Sequence, residues 1–240
     1  MKGLILAAGR GSRMGVLTND QPKCMTVLGG KALVEHQVNA LSGGGIEELG
    51  LVRGYLAETF KLPLTYFDNP RWSETNMVGS LICAEQWLQA DDCVVSYSDI
   101  VYGADSIRRL LAATGDIVIT YDPQWRALWE LRFADPLADA ETFRLGNDGQ
   151  LLEIGARAAN ISEIEGQYMG LLRFTPRGWR SVSDLLAKLE SAERDRLDMT
   201  SLLQSLLATG VVINTVAIAE PWYEVDSESD LQLYQERFFS

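Results

Sequence analysis

The chain contains little cysteine and almost no histidine. Three of its 240 residues are Cys and one is His. The spacing of Cys24, Cys83 and Cys93 matches neither a zinc site nor a disulfide framework, so we expect reduced and mostly packed thiols. His36 falls in the middle of a predicted helix, where a structural role is favoured over a catalytic one. The sequence therefore argues against a disulfide-stapled domain and against histidine-based catalysis.

Long apolar runs and an excess of positive charge are also missing. The chain has no apolar run of about 18 residues that would span a bilayer. Its first residues predict a strand and not a leader, so we expect a cytoplasmic protein without membrane insertion. The 21 Lys and Arg residues are outnumbered by 33 Asp and Glu residues, for a net charge of -12. Because nucleic-acid-binding surfaces need clustered positive charge, we expect no nucleic-acid partner.

Against this acidic background, residues 3–25 (GLILAAGRGSRMGVLTNDQPKCM) concentrate glycines and cations. The apolar run at 4–8 predicts a buried parallel strand. The glycines that follow let the backbone bend sharply or approach a ligand closely. Arg13 and Lys23 add positive charge to this loop, which suits a polyphosphate ligand. An ordinary strand and loop with surface arginines is the competing interpretation.

The rest of the chain alternates predicted strands with predicted helices. This alternation indicates βαβ units and therefore an α/β fold with a mostly parallel sheet. The predicted strands are 48–52, 64–67, 93–97, 117–121 and 211–217. The predicted helices are 32–42, 54–61, 76–89, 106–113, 181–192, 200–208 and 229–238. No repeat or linker interrupts the pattern, so we expect a single domain over residues 1–240.

Residues 122–160 break this alternation. The segment is rich in Trp, Asp and Gly and is predicted to form several short extended pieces. We expect a small antiparallel insertion or edge here, on the acceptor side of the site.

Two aspartates follow predicted strands and are candidates for a metal site. Asp99 comes directly after the apolar run CVVSY, and Asp226 follows a second short extended run. Ligands of open α/β sheets bind at the carboxyl ends of the strands, and carboxylates there suit Mg²⁺ bound with phosphates. A helix cap or a turn is the ordinary role of Asp at such positions.

These residues fit one type of reaction, the transfer of a nucleotidyl group to a phosphate or phosphonate. Two polyanions then meet, and neutralising their charge while fixing an in-line approach lowers the barrier. We expect Arg13 and Lys23 to spread over the triphosphate and the attacking oxygen, and a metal on Asp99 and Asp226 to bridge the α-phosphate. A general base is not needed, because the attacking phosphate is already ionised at neutral pH.

The opening segment LAAGRGSRMGVLTNDQPKCM resembles that of nucleotidyltransferases with a GT-A-like Rossmann fold. With Asp99, the segment GQYMGLLRF and the late VDSESD, the resemblance covers nearly the whole chain. It implies a Rossmann-like three-layer α/β/α fold, catalytic roles for Arg13 and Lys23, and Mg²⁺ on Asp99 and Asp226. It also implies nucleotide contacts from Leu6, Ala7, Ala8, Gly9, Gly11, Ser12, Asn76, Gly79, Ser80 and Ser98.

Within that superfamily the chain is most similar to bacterial CTP:phosphocholine and 2-aminoethylphosphonate cytidylyltransferases. The segment NPRWSETNMVGSL and the ending EVDSESDLQLYQE carry this likeness. The chain departs from it at Asn76-Met77, where two adjacent asparagines are common, and at Ser96-Tyr97-Ser98-Asp99, where an Asp-X-Asp pattern is common. These departures leave the acceptor open.

An amine-bearing acceptor calls for aromatic faces and carboxylates. The candidates are Trp129, Glu130, Tyr168 and Asp198, although the tryptophans of this region are equally typical of a core. We expect an Mg²⁺-dependent cytidylyltransferase that uses CTP and a small phosphate- or phosphonate-bearing acceptor. A sugar-1-phosphate nucleotidylyltransferase, a molybdopterin-type nucleotidyltransferase and a nucleotide-binding regulator are the alternatives, and a homodimer is compatible with the sequence.

Overall fold

A computed structural model describes residues 1–239, which fold around a central sheet. The strands are β1 (Lys2–Ala7), β2 (Val27–Leu28), β3 (Lys31–Ala32), β4 (Glu48–Arg53), β5 (Thr65–Asp68), β6 (Cys93–Tyr97), β7 (Ile100–Val101), β8 (Ile117–Asp122), β9 (Glu141–Leu145), β10 (Leu151–Arg157), β11 (Gln167–Phe174), β12 (Asn214–Ala217) and β13 (Tyr223–Glu224). The helices are α1 (Leu33–Gly43), α2 (Met77–Ile82), α3 (Glu85–Ala90), α4 (Ala104–Ala112), α5 (Trp125–Arg132), α6 (Pro176–Leu186), α7 (Ser191–Arg196), α8 (Met199–Ala208) and α9 (Glu228–Phe238).

The central sheet has the strand order β12-β8-β11-β6-β1-β4-β5. Its neighbouring strands run parallel, apart from β11, which lies antiparallel to both β6 and β8. The predicted α/β fold with a mostly parallel sheet is therefore confirmed.

Both faces of this sheet are covered by helices, as the residues of β1 illustrate. Leu4 and Leu6 belong to one buried apolar cluster, which includes Trp179 of α6. Ile5, which points to the opposite face because side chains alternate along a strand, belongs to a second cluster with Val34 of α1. The strand is thus buried on both sides, as its uninterrupted apolar sequence predicts.

The carboxyl ends of the central strands define the edge at which the site lies. In the register of β1 and β6, Leu6 lies opposite Tyr97. The loop after β1 and the residues after β6 therefore emerge side by side, and each begins where its strand runs out of pairing partners. The glycine loop that follows β1 and Asp99, which follows β6, consequently lie at the same edge of the sheet.

A small two-stranded sheet brings the late part of the chain to the same edge. Strand β13 pairs antiparallel with β7, with Glu224 opposite Ile100. The backbone N–H of Val225 donates to the carbonyl of Asp99 at 2.9 Å. This pairing places Asp226 beside Asp99.

The prediction of a helix over residues 54–61 is wrong. The structure has only a 3-10 turn at Ala57–Thr59, preceded by Leu56 with a left-handed φ of 46°. The N–H of Tyr55 donates to the carbonyl of Ala8 at 2.9 Å, which ties this segment to the end of β1. The left-handed backbone of Leu56 interrupts a right-handed helix at this point.

The prediction for residues 122–160 is correct in part. Strands β9 and β10 form the expected small antiparallel sheet, but the segment before them is the helix α5 and not an extended piece. Trp125 and Trp129 are both 3% exposed, and their i, i+4 spacing puts them on one helical face. That spacing is a helical signal, which the abundance of Trp, Asp and Gly concealed.

Two longer predicted helices are each divided in the structure. Residues 76–89 form α2 and α3, with Asn76 capping the N–H of Met77 at 2.8 Å. Residues 181–192 fall on α6 and α7. Helix α6 begins earlier than expected, because Thr175 caps it and Pro176 fills its first position.

The cysteines are reduced and the histidine has a structural contact, as predicted from their positions in the sequence. Cys24, Cys83 and Cys93 are free thiols, and Nε2 of His36 lies 2.9 Å from the carbonyl oxygen of Leu28, a structural contact. None of the helices between residues 1 and 239 combines the length and the apolar content that crossing a bilayer would require.

Replacing Leu202 by Ala should strongly destabilise the fold. Leu202 lies on α8 and is 0% exposed, within the same apolar cluster as Leu4. We expect the free energy of unfolding to fall by about 2–5 kcal/mol, because a cavity would remain in the core. Leu152→Ala is the control, since Leu152 is 56% exposed and should change it by about 0.5 kcal/mol or less. Urea titration of the variants measures both, and equal losses would contradict this description of the core.

Candidate active site

A cavity of about 340 Å³ lies at the carboxyl ends of β1 and β6, between the glycine loop and α2. We call it the loop cavity. It is lined by Leu6, Ala8, Gly9, Gly11, Ser12, Arg13, Lys23, Trp72, Thr75, Asn76, Met77, Ser80, Tyr97, Ser98, Asp99 and Asp226. This is the position expected for a ligand of an open α/β sheet.

Three charged side chains form an ion cluster in the loop cavity. The Nζ atom of Lys23 lies 2.9 Å from Oδ2 of Asp99 and 2.6 Å from Oδ1 of Asp226. The side chain of Lys23 is only 10% exposed, and those of Asp99 and Asp226 are 21% and 14% exposed. A single ammonium therefore joins two carboxylates in a largely buried setting, where charge-assisted hydrogen bonds are strong.

Mutual pairing keeps Lys23 and Asp226 charged despite their burial. Burial by itself would lower the pKa of Lys23, but the charges of Asp99 and Asp226 outweigh it, and the pKa is raised. Burial would likewise raise the pKa of Asp226, but the ammonium of Lys23 outweighs it, and the pKa is lowered. Lysine and aspartate thus both remain ionised at neutral pH.

The glycine loop is shaped around Lys23. Gly11 has a φ of +71°, and a Cβ atom at this position would come within 2.6 Å of the Cβ of Lys23. Only glycine tolerates both the left-handed backbone and this close approach. The loop also brings Arg13 over the cluster, where Nη1 lies 2.7 Å from Oδ2 of Asp226 and the side chain stays 70% exposed. Arg13 is therefore free to reach a ligand at the mouth of the cavity.

Most of the residues proposed for nucleotide binding line this cavity, but Ala7 and Gly79 do not. Ala7 points to the opposite face of the sheet from Leu6 and Ala8, because successive side chains of a strand alternate. Asn76, which caps α2, and Met77 and Ser80 within α2 do line the cavity. A Cβ on Gly79 would instead meet Thr75 at 2.6 Å.

The two aspartates offer the donor set that a divalent cation requires. Oδ1 of Asp99 is buried and accepts no hydrogen bond from any group within residues 1–239, so an acceptor oxygen is left for another cation. Over the same residues no cluster of three or more His, Cys, Asp or Glu side chains is arranged to hold a metal. Two carboxylates completed by substrate phosphates and water are the usual site for Mg²⁺, so Asp99 and Asp226 fit such an ion.

A second cavity of about 340 Å³ adjoins the first. Arg13, Met77, Tyr97 and Asp226 line both, so the two cavities meet at the ion cluster. We call the second one the acidic cavity. Its other lining residues are Trp129, Asp139, Glu141, Thr142, Phe143, Ile154, Gln167, Tyr168, Asp198, Met199, Thr200 and Glu224.

Carboxylates dominate the lining of the acidic cavity. Asp139, Glu141, Asp198 and Glu224 surround it together with Asp226, and Arg13 is the single cation among its lining residues within 1–239. Burial, followed by the charges of Asp198 and Asp139, raises the pKa of Glu141. The carboxylates that line the cavity, with only one cation among them, suit a positively charged ligand group.

Three of the four acceptor candidates line this cavity, and Glu130 does not. Trp129 faces it and donates from Nε1 to Oδ2 of Asp139 at 3.0 Å. Tyr168 and Asp198 line it as well. Glu130 follows Trp129 on α5 but lies on the exposed face, where it pairs with Arg126 at 2.7 Å. Adjacent residues of a helix point about 100° apart, which explains the difference.

Several lining residues had no signal in the sequence. Glu141, Gln167 and Glu224 come from three separate strands, and only the fold brings them together. Tyr97 and Met77, which line both cavities, could have been found, since each is next to a predicted site residue, Ser98 and Asn76.

Comparison with known proteins identifies the family of the chain. Residues 3–204 match the family model described as a MobA-like NTP transferase domain. The chain belongs to this family. The predicted nucleotidyltransferase resemblance is confirmed, and the chain is a nucleotidyltransferase. Members of this class generally use a divalent metal, in line with the pair of aspartates.

One of its relatives is named for the use of CTP, and another for a product that contains CMP. The chain is 37% identical over 257 residues to the CTP:phosphoglutamine cytidylyltransferase of Campylobacter jejuni, covering 99% of this chain and 100% of that protein. It is 27% identical over 254 residues to the CMP-5'-(3-aminopropyl)phosphonate synthase of Streptomyces rubellomurinus, covering 99% of this chain but 39% of that longer protein.

A solved structure shares the fold. The CTP:phosphocholine cytidylyltransferase of Streptococcus pneumoniae superposes with a TM-score of 0.73 at 19% identity, covering 98% of this chain and 97% of that one. At this identity the likeness shows the Rossmann-like architecture alone.

Replacing Lys23 by Met should change metal and nucleotide binding in opposite directions. The ammonium that neutralises Asp99 and Asp226 would be gone, so Mn²⁺ should bind more tightly in the absence of nucleotide. Affinity for a nucleoside triphosphate should fall, because a cation facing its phosphates is lost. Electron paramagnetic resonance of free Mn²⁺ and isothermal titration calorimetry measure the two.

The control is Lys31→Met, which removes an exposed lysine and should change neither affinity. Weaker Mn²⁺ binding by the Lys23 variant would show that the ammonium does not compete with a metal for these carboxylates.

Proposed function

We propose that the protein transfers CMP from CTP to a small phosphorylated amine and releases pyrophosphate. The observation that carries this proposal is the meeting of two cavities at Arg13 and Asp226, one with a glycine loop and the other with an acidic lining. The first suits a triphosphate and the second suits an acceptor with a positive group. The reacting phosphates would then meet at the ion cluster.

In the proposed reaction a phosphate or phosphonate oxygen of the acceptor attacks the α-phosphorus of CTP. The new P–O bond forms as the bond to pyrophosphate breaks, and the electron pair leaves with pyrophosphate. The acceptor oxygen is already ionised, so the site needs to orient two anions and offset their charge. Arg13 and Lys23 are the cations assigned to this task. Mg²⁺ held by Asp99 and Asp226 would neutralise phosphate charge as it develops.

The loop cavity is assigned to the nucleotide. Backbone N–H groups around Gly9, Gly11 and Ser12 are proposed to face the phosphates, since a glycine loop lets the backbone approach them. Asn76, Ser80 and Ser98 are proposed as polar contacts to the rest of the nucleotide. The choice of CTP rests on the relative named for CTP, whose similarity covers 99% of this chain, and on the CMP in the product named for the second relative.

The acidic cavity is assigned to the acceptor. Its carboxylates and the aromatic rings of Trp129 and Tyr168 are suited to an ammonium group. The acceptors named for the relatives, phosphoglutamine and 3-aminopropylphosphonate, each carry an amino group. We therefore propose an amine-bearing acceptor, with phosphoglutamine as the first compound to test.

Pyrophosphate release tests the proposal. The protein should be incubated with CTP, UTP, dTTP, GTP or ATP and a divalent cation, against phosphoglutamine, 2-aminoethylphosphonate, phosphocholine and glucose 1-phosphate. We expect release with CTP and one of the amine-bearing acceptors. Release confined to glucose 1-phosphate with UTP or dTTP would overturn the proposal, and no release with any pair would favour a nucleotide-binding regulator.

Glu141→Gln should raise the KM for the acceptor by about tenfold, equivalent to roughly 1.4 kcal/mol, and leave the KM for CTP unchanged. The substitution keeps the shape of the side chain but removes one of the charges that face an ammonium group. Steady-state kinetics with each substrate varied in turn measure the effect.

Glu130→Gln is the matched control. Glu130 directly follows Trp129, which lines the cavity, but its own side chain pairs with Arg126 at the surface. Equal effects of the two substitutions would remove Glu141 from the acceptor site.

A further inference from the structure

One buried arginine, Arg132, lies behind residues that line the acidic cavity. Arg132 is the last residue of α5, and its side chain is 0% exposed. Its Nε atom donates to Oδ1 of Asp230 at 3.0 Å, and Nη1 donates to Oε2 of Glu224 at 2.7 Å. The guanidinium thus holds one carboxylate from α9 and one from β13. It lines neither cavity itself.

On one side, Arg132 acts through Asp230 on the residue proposed as a metal ligand. Oδ2 of Asp230 accepts the backbone N–H of Asp226 at 3.1 Å and that of Ser227 at 3.0 Å. It also accepts the hydroxyl of Ser227 at 2.8 Å. Asp230 therefore fixes the backbone that carries Asp226, and Arg132 fixes Asp230.

On the other side, Arg132 supports the acidic cavity. Glu224, which lines that cavity, is oriented by Nη1 of Arg132. The guanidinium carbon also lies 5.1 Å from the ring centre of Trp129, one turn earlier on α5. Trp129 in turn lines the cavity and holds Asp139. The same side chain thus contacts two residues that line the proposed acceptor site, Glu224 and Trp129.

This arrangement uses the planar shape of the guanidinium and not only its charge. Arg132 donates to its two carboxylates from two separate nitrogens held in one rigid plane, Nε and Nη1, whereas a lysine has one nitrogen on a flexible chain. A buried ion pair is weak evidence for stability by itself, because desolvation offsets much of the attraction. The position of this pair, between a proposed metal ligand and a proposed acceptor wall, points to a role in the geometry of the site.

We propose that Arg132 is a positioning residue that sets Asp226 for metal binding and Glu224 with Trp129 for acceptor binding. The inference rests on the proposed function, since it assigns these residues to metal and acceptor. It adds a residue that touches neither substrate and that couples the two halves of the site.

The test compares Arg132→Lys with Arg126→Lys. Both residues are arginines of α5, but the side chain of Arg126 is 58% exposed and pairs with Glu130 at the surface. In the Arg132 variant we expect the dissociation constant for Mn²⁺ to rise roughly 10- to 100-fold, the range for partners that orient a metal ligand. The KM for the acceptor should also rise. The Arg126 variant should match the wild-type protein in both.

Hydrogen exchange measured by mass spectrometry separates positioning from general stability. The amides of Asp226 and Ser227 should exchange faster in the Arg132 variant, while those of β6 keep their wild-type rates. A uniform increase over the whole chain, with the Mn²⁺ affinity and the acceptor KM of the folded protein unchanged, would overturn the proposal.

A second variant covers the case in which the Arg132 variant does not fold. Asp230→Asn keeps the volume of the side chain and leaves Arg132 paired with Glu224. It should weaken Mn²⁺ binding in the same way, and unchanged binding would overturn the proposal. The exchange measurement needs no substrate. If wild-type protein released no pyrophosphate with CTP, the proposed function would fail while exchange at Asp226 still decided the role of Arg132.

Discussion

The site depends on one ammonium group held between two carboxylates. Lys23 lies 2.9 Å from Asp99 and 2.6 Å from Asp226, in surroundings where an unpaired charge of either sign would be costly. Because the three groups offset one another, the glycine loop, the end of β6 and the segment before α9 are held at one edge of the sheet. Both cavities open from this cluster, so its geometry sets where two phosphate groups would meet.

The two cavities on either side of this cluster differ in the charge of the residues that line them. The chain is acidic, with a net charge of -12, yet Lys23 and Arg13 both project into the loop cavity. The acidic cavity next to it has Arg13 as its single cation among lining residues within 1–239. An anionic donor and an acceptor with an ammonium group would therefore be drawn to opposite sides of the same ion cluster.

The fold could be predicted from the sequence where the order of apolar and polar residues in a segment depends directly on how that segment is buried. The apolar run of β1 is buried on both faces, and a run without alternation is the pattern that such a strand produces. Prediction failed where a long-range contact decided the local structure. Tyr55 donates its backbone N–H to the carbonyl of Ala8, next to the left-handed Leu56 that interrupts the helix predicted at 54–61. Neither feature is visible in the segment itself. In α5, composition concealed a helical spacing of Trp125 and Trp129.

The sequence by itself determined the nucleotidyltransferase family, the glycine loop with Lys23, and the two aspartates that follow strands. These features are local, since a loop that approaches a ligand and a residue that ends a strand are encoded within a few positions. Only the tertiary structure decided that Lys23 meets Asp226, 203 residues away, through the pairing of β13 with β7. It also decided the acidic cavity, because Glu141, Asp198 and Glu224 belong to separate elements. The spacing along one segment gives the direction of a side chain, but not the element that it will face.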